Sequence, residues 1–312
     1  MKTVNNFSYE TPIKFNIKLL KDAVMEMQES EGFTKTAKNN AMSLFNKLYK
    51  LSFGSDEFTT TMVGESKGNT CRVYYKPSYT QYPKPVRKGI VPVKEGNMFV
   101  YFDLKAAEYI LNCILAGDDR TVESYMKGED PYMVYSELFP AGTDRKVMKE
   151  ALIGNMYGLS PFTLAKRANV SEDRAKFILA QLNRNMPAQA ALKHRILSAT
   201  RALNGYICAA GLDSKTELKV ADVDPSVGYS ENRALSVYTQ SALGVYMQSL
   251  LERLATPFTL IQVFDSVLIE VGADTDVNDL VYAVKDLISP FRAEIGFGKT
   301  FYEAMQDAKT YE

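Results

Sequence analysis

Two aspartates stand where apolar strands should stop: Asp103 follows the run NMFVYF, and Asp265 lies between LIQVF and VLIEV. Runs of that kind read as buried strands, and a carboxylate at the end of one is held on a rigid element. Two hard oxygen donors that are distant in sequence can then share a site. There a pair of Mg2+ ions roughly 3.5–4 Å apart would activate a hydroxyl nucleophile and stabilise a leaving oxyanion. A plainer role fits the same residues. Asp is common in turns and at helix caps, and spacing alone does not separate the two readings.

The rest of the composition narrows the chemistry. One histidine, His194, removes most histidine-based nucleophile schemes. Cys71, Cys113 and Cys208 lie far apart without a CxxC pair, which argues against a disulfide framework or a structural zinc site and fits a reducing, cytoplasmic setting. The N-terminus lacks an apolar signal core, and no run of about 18 apolar residues exists, so no membrane partner is expected. Lys plus Arg and Asp plus Glu number 37 each, so no global field draws the chain to an anionic polymer. Any such binding must come from local patches: Lys84–Lys88, Arg145–Lys149, Lys166–Arg167 and Lys193–Arg195. Each of these alone also reads as a solvated face.

The elements that position these residues follow from periodicity. With 312 residues the chain can form one large unit or two to three subdomains around a shared cleft. Spacing predicts helices over 13–30, with Phe15, Ile17, Leu19, Leu20 and Val24 apolar, and over 34–52. Residues 58–102 read as irregular and strand-rich. Helical pieces follow near 105–116, 120–127, 131–138, 144–157, 161–168, 171–185 and 187–204, with Ser171 as a helix N-terminus. Loop or hairpin covers 206–230, a helix 231–254, a hairpin 258–271 and a last helix 276–288. Strands thus flank a helical insertion of about 100 residues, which makes an α+β architecture.

Read with their neighbours, these residues resemble the motifs of family A DNA polymerases. Asp103–Asp118 (DLKAAEYILNCILAGD) resembles the first palm motif, Arg145–Ser160 (RKVMKEALIGNMYGLS) the fingers helix, and 262–271 (QVFDSVLIEV) the hairpin motif, in the family's order. A lead-in, Thr70-Cys71-Arg72 with Pro77 and Gln81, also matches. The resemblance covers about residues 60–290. It implies a right-hand polymerase fold, with an antiparallel palm sheet at 60–118 and 226–312, helical fingers at 119–225 and a reduced helical thumb at 1–59. It implies a DNA polymerase adding dNTPs to a primer 3′-OH on primer–template DNA, with two Mg2+ ions (Mn2+ as a substitute) held by Asp103, Asp265 and the Leu104 carbonyl. Arg145 and the catalytic Lys149, one turn apart, would meet the triphosphate. Ile153 and Tyr157 would cover the new base pair, with core packing as their alternative. Close approach of a helix or of template would explain Gly154 and Gly158. Glu108 would crowd the sugar 2′ position, and Tyr132 would lie near the phosphates. Arg72, Gln81, Arg233 and Gln240 would contact primer–template backbone or minor groove.

The chain departs from the family at Phe264 (His in the family), Ser266 (Glu) and Ile153 (aromatic in some members). About 60 residues precede the palm motifs, with no DxE carboxylate motif. A minimal thumb, no proofreading in this chain and weak DNA binding are therefore expected, with a separate exonuclease and thumb subunit or a processivity factor as partner, as in a split phage polymerase. A single-subunit RNA polymerase or primase-like enzyme, a non-catalytic DNA-binding subunit and a chance match in a helical α+β protein remain alternatives.

Overall fold

The computed structural model describes residues 7–67, 71–79, 82–139, 143–202, 207–210, 217–220 and 231–311. The chain divides into two compact units. A sheet unit takes Asn6–Ser66, Val73–Lys105 and Met247–Glu312; a helical unit takes Met1–Asn5, Lys67–Arg72 and Ala106–Tyr246.

The sheet unit opens with β1 (Ser8–Asn16), where a helix over 13–30 was expected to begin. Thr11, Ile13 and Phe15 are buried in alternation, a period of two that makes this stretch a strand. The helix starts only at Asn16, whose side chain accepts the Leu19 N–H at 2.9 Å and caps α1 (Ile17–Glu29). Then come α2 (Lys35–Leu51), β2 (Glu57–Lys67), β3 (Arg72–Lys76), β4 (Ile90–Val91) and β5 (Met98–Leu104). In the first sheet β1 lies between β2 and β4, with β3 outside β2.

The helical unit contains α3 (Ala107–Ala116), α4 (Asp119–Met126), α5 (Arg145–Met156), α6 (Pro161–Ala168), α7 (Glu172–Asn185) and α8 (Pro187–Ala202). After these come the hairpin β6 (Ile207–Ala210) and β7 (Glu217–Val220), then α9 (Glu231–Arg253), whose residues to Tyr246 belong to this unit. These bounds fall within a few residues of the periodicity reading, and Ser171 does cap α7 by accepting the Arg174 N–H. The exception is 131–138. Asp130 accepts the Tyr132 N–H at 3.0 Å, and the chain continues as turns and one 3-10 turn at Ser136–Leu138. A side-chain acceptor placed so close competes with helix formation.

Back in the sheet unit, β8 (Leu260–Val263) and β9 (Ser266–Val271) form the expected hairpin, and α10 (Val277–Ile288) follows. Beyond it, β10 (Ala293–Gly298), α11 (Phe301–Asp307) and β11 (Lys309–Thr310) were not anticipated. The second sheet has the order β11-β10-β5-β9-β8. Its paired neighbours are all antiparallel. Ile13, Phe15, Leu48, Phe99, Leu268 and Phe301 belong to the core that joins the two sheets.

One buried charge fastens the frame. Glu270 on β9 is 1% exposed. Its carboxylate accepts from Val93 N–H, Lys94 N–H and Asn97 Nδ2 at 2.9 Å each, and from Thr259 N–H at 3.3 Å. Four donors satisfy the ion without a cation. Glu270→Ala leaves buried donors bare, and unfolding by denaturant should read a loss of about 2–4 kcal/mol; an unchanged midpoint would refute this role.

Candidate functional site

In the sheet unit, Asp103 is the last residue but one of β5, and Asp265 occupies the turn between β8 and β9. Asp103 is the cross-strand partner of Ser266, and the Leu104 N–H donates to the Asp265 carbonyl at 3.1 Å. Asp103 on its strand and Asp265 in the adjoining turn are therefore held side by side at one end of the sheet. Tyr101 lies two residues before Asp103, on the same face, and its hydroxyl donates to Asp103 Oδ2 at 3.4 Å. Burial pushes the Tyr101 phenol up to about 12; the Asp103 charge adds to this, and the Asp265 charge contributes a smaller rise. One phenol thus feels both carboxylates.

Burial also raises the Asp103 carboxyl above its ordinary range. The Tyr101 hydroxyl lowers it, Glu294 across the strand raises it, and Lys84 lowers it. A half-buried acid so weakly compensated, next to a second carboxylate, is a donor set that a hard divalent cation would stabilise. Among the described residues no cluster of three or more acid, His or Cys side chains has metal-holding geometry. The two aspartates would need backbone oxygen or water to complete a coordination shell. The residues fit a hard divalent cation in that form.

The turn itself is constrained. Phe264 adopts a left-handed φ of +59° and is 68% exposed. The Gln262 side chain donates from Nε2 to the Phe264 carbonyl at 2.7 Å. Ser266 Oγ donates to the Val263 carbonyl at 2.8 Å.

In the helical unit, four residues singled out separately meet. Glu108, in the first turn of α3, accepts from Arg72 at 2.8 Å on one oxygen and from the Tyr157 hydroxyl at 2.7 Å on the other. Burial and then the Glu108 charge raise the Tyr157 phenol, while a hydrogen bond with Gln240 lowers it. The spacing after Asp103 marked Glu108, but no local signal linked it to Arg72, Tyr157 and Gln240.

Arg145 and Lys149 are exposed on α5, which Asp144 caps by accepting the Val147 N–H at 2.8 Å. Both cations lie over the Tyr132 ring, 5.3 and 5.7 Å from its centroid. Tyr132 is buried and stacks on Tyr109 at 5.4 Å, and Arg145 also pairs with Asp130. Tyr132 therefore supports the two cations from beneath. Ile153 is half-buried on α5 and Arg233 exposed on α9; Gln81 lies outside the described residues. Gly154 has a close neighbour, since an added Cβ would meet the Leu159 side chain at 2.6 Å. Gly158 lies just past the helix with φ +71°, and a Cβ there would meet Asn232 Oδ1 at 2.3 Å.

Charge is segregated along the chain in a way that the patch reading missed. Residues 143–202 carry eleven Lys and Arg against four Asp and Glu, in a chain whose totals balance. A running charge count would have found it. The patch at Lys84–Lys88, by contrast, is largely engaged: Arg87 lies 4.6 Å over the Phe301 ring and Lys88 pairs with Glu26.

No family model matches the chain. A DNA polymerase I from Chloroflexus aurantiacus is 27% identical over 131 residues, covering 40% of this chain and 14% of that protein. The POL domain of Pol1 from M. smegmatis, solved in complex with DNA primer-template and dNTP, matches with a TM-score of 0.62 at 17% identity. That match covers 91% of this chain and 56% of the solved one. The chain thus spans a small part of the curated relative and about half of the solved polypeptide. No helix among the described residues is long and apolar enough to cross a membrane. The chain therefore has the α+β fold of a DNA polymerase POL domain and, over part of its length, is similar in sequence to a DNA polymerase I.

Proposed function

We propose that this chain catalyses template-directed addition of dNTPs to a primer 3′-OH. The observation that carries the proposal is that Asp103, paired with Ser266 on β9, lies beside Asp265 in the turn that opens that strand. Mg2+ bound by these residues would polarise the attacking hydroxyl and offset charge on the leaving pyrophosphate. Asp103 and Asp265 supply charged oxygen donors, and the Leu104 carbonyl a neutral one. Arg145 and Lys149 offer cations to phosphate oxygens, where negative charge develops as the pyrophosphate departs. Tyr132 holds those cations by its ring face. Tyr157 and Ile153 cover the base pair, and Glu108 crowds the sugar. Arg72, Arg233, Gln240 and Gln81 follow the duplex without reading its sequence.

In this reading residues 60–118 and 226–312 form the palm and 119–225 the fingers, and the helical hairpin α1–α2 within residues 1–59 acts as a small thumb. Primer extension with dNTPs and Mg2+, comparing the wild type with Asp265→Ala, tests the proposal. Extension that is equal in both would overturn it.

A narrower prediction concerns Ile153, which stands where some members of the family it resembles carry an aromatic residue. Chain-terminating dideoxynucleotides should be poor substrates, and Ile153→Tyr should improve their use by about tenfold or more relative to dNTPs, roughly the worth of one well-placed hydrogen bond. Equal incorporation ratios in the two proteins would refute it.

A further inference from the structure

The strand that leads into Asp265 is the outermost of its sheet, so its outward-facing backbone groups have no partner strand. Side-chain hydroxyls take that place. The Leu260 N–H donates to Thr11 Oγ1 at 2.8 Å, the Leu260 carbonyl accepts from the Tyr9 hydroxyl at 3.2 Å, and the Gln262 N–H donates to the Tyr75 hydroxyl at 2.6 Å. Tyr9 and Tyr75 also hydrogen-bond to each other.

Each phenol has one proton, and that fixes the order of the chain. The Gln262 amide can only donate and the Leu260 carbonyl can only accept. Tyr75 therefore donates to Tyr9, and Tyr9 donates to Leu260. Two phenols thereby bridge two residues of one strand edge, as a neighbouring strand would. Burial keeps both neutral: Tyr75 is pushed up to about 12, and Tyr9 is raised well above its usual value.

The surrounding structure is built for this contact. Gly64 on β2 is paired with Tyr9, and a Cβ there would meet the Tyr9 ring at 2.8 Å and the Tyr75 ring at 3.0 Å. Only a glycine leaves room for both rings. From Gln262 the restraint passes on through its side chain, which holds the Phe264 carbonyl in the left-handed turn immediately before Asp265.

We infer that Tyr75 and Tyr9 are positioning residues for Asp265: their linked hydroxyls clamp the free edge of the hairpin, and Gln262 transmits the clamp to the turn that holds the carboxylate. This rests on the reading of Asp265 as a metal-holding residue. Outer partners that orient a metal ligand typically govern metal affinity by about 10–100-fold.

The test uses the full chain with Tyr75→Phe, Tyr9→Phe and Gly64→Ala. Three quantities are measured: hydrogen exchange of peptides spanning 258–267, Mn2+ binding by calorimetry, and the half-saturating Mg2+ concentration for primer extension. Tyr75→Phe should expose the Gln262 amide to exchange and weaken Mn2+ binding about tenfold. The Mg2+ requirement should rise with it, while primer–template affinity stays within about twofold. Tyr9→Phe and Gly64→Ala should shift the same quantities in the same direction, and either serves if Tyr75→Phe does not fold. Lower melting temperature with unchanged Mn2+ affinity would overturn the inference and leave a purely structural contact. If instead wild type and Asp265→Ala extend equally, the polymerase reading fails; the exchange measurement still decides whether the clamp exists.

Discussion

Asp265→Ala should abolish Mg2+-dependent primer extension, with a fall of at least about 10^3-fold in rate, while the chain stays folded. The turn explains why stability survives. Asp265 contributes its backbone carbonyl to the Leu104 N–H at 3.1 Å, and Ala keeps that bond. The Gln262 and Ser266 contacts that shape the turn also go to backbone carbonyls. What is lost is the carboxylate, one of two charged oxygen donors proposed for the cations. Two-metal phosphoryl transfer depends on charge stabilisation worth several kcal/mol, and each 1.4 kcal/mol is about a factor of ten in rate. Asp103→Ala should match it, and the double variant should be little worse than either alone, because residues that act as one unit are not additive. Single-turnover extension at saturating dNTP measures this. A variant with a tenth or more of wild-type rate would remove Asp265 from the chemistry.

Glu108→Ala should let ribonucleotides in. The Glu108 carboxylate is fixed from two sides, by Arg72 at 2.8 Å and by the Tyr157 hydroxyl at 2.7 Å, so it cannot swing aside at low cost to admit a 2′-hydroxyl. A fixed group rejects a misfit better than a mobile one. Truncation opens the space, and the dNTP-over-rNTP preference in kcat/KM should fall by about 10^2-fold or more, roughly 3 kcal/mol of discrimination. Tyr157→Phe should fall in between, because it keeps the carboxylate and removes one of its two restraints. That intermediate is what distinguishes a braced gate from a simple plug. Should the wild type already use rNTPs as well as dNTPs, and Glu108→Ala change nothing, the sugar-gate role fails and an RNA polymerase-like activity takes its place.

Local pattern carried much of the architecture. The helices α5, α6 and α7 were legible because each is set by its own period and its own cap: Asp144, Ser160 and Ser171 all accept a backbone N–H at a helix start, while α8 and the β8–β9 hairpin were legible from period alone. Where two periods competed, the reading failed. Ile13, Phe15 and Ile17 alternate like a strand, while Ile17, Leu20 and Val24 repeat like a helix, and only pairing with β2 decided that the strand runs to Asn16. At 131–138 a side-chain acceptor at Asp130 overrode a helical pattern.

By itself the sequence determined the positions of the strand-end acids, the one-turn spacing of Arg145 and Lys149 and the order of the motifs, because these depend only on neighbours along the chain. Tertiary structure alone decided that Arg72, 36 residues before Glu108, and Tyr157, 49 after it, would close on one carboxylate. It also decided that Tyr75 would cap an amide 187 residues away. A hydroxyl or carboxylate has no preferred partner until burial removes water as the alternative. Which partner it then meets depends on how whole elements pack, and no local window of sequence holds that information.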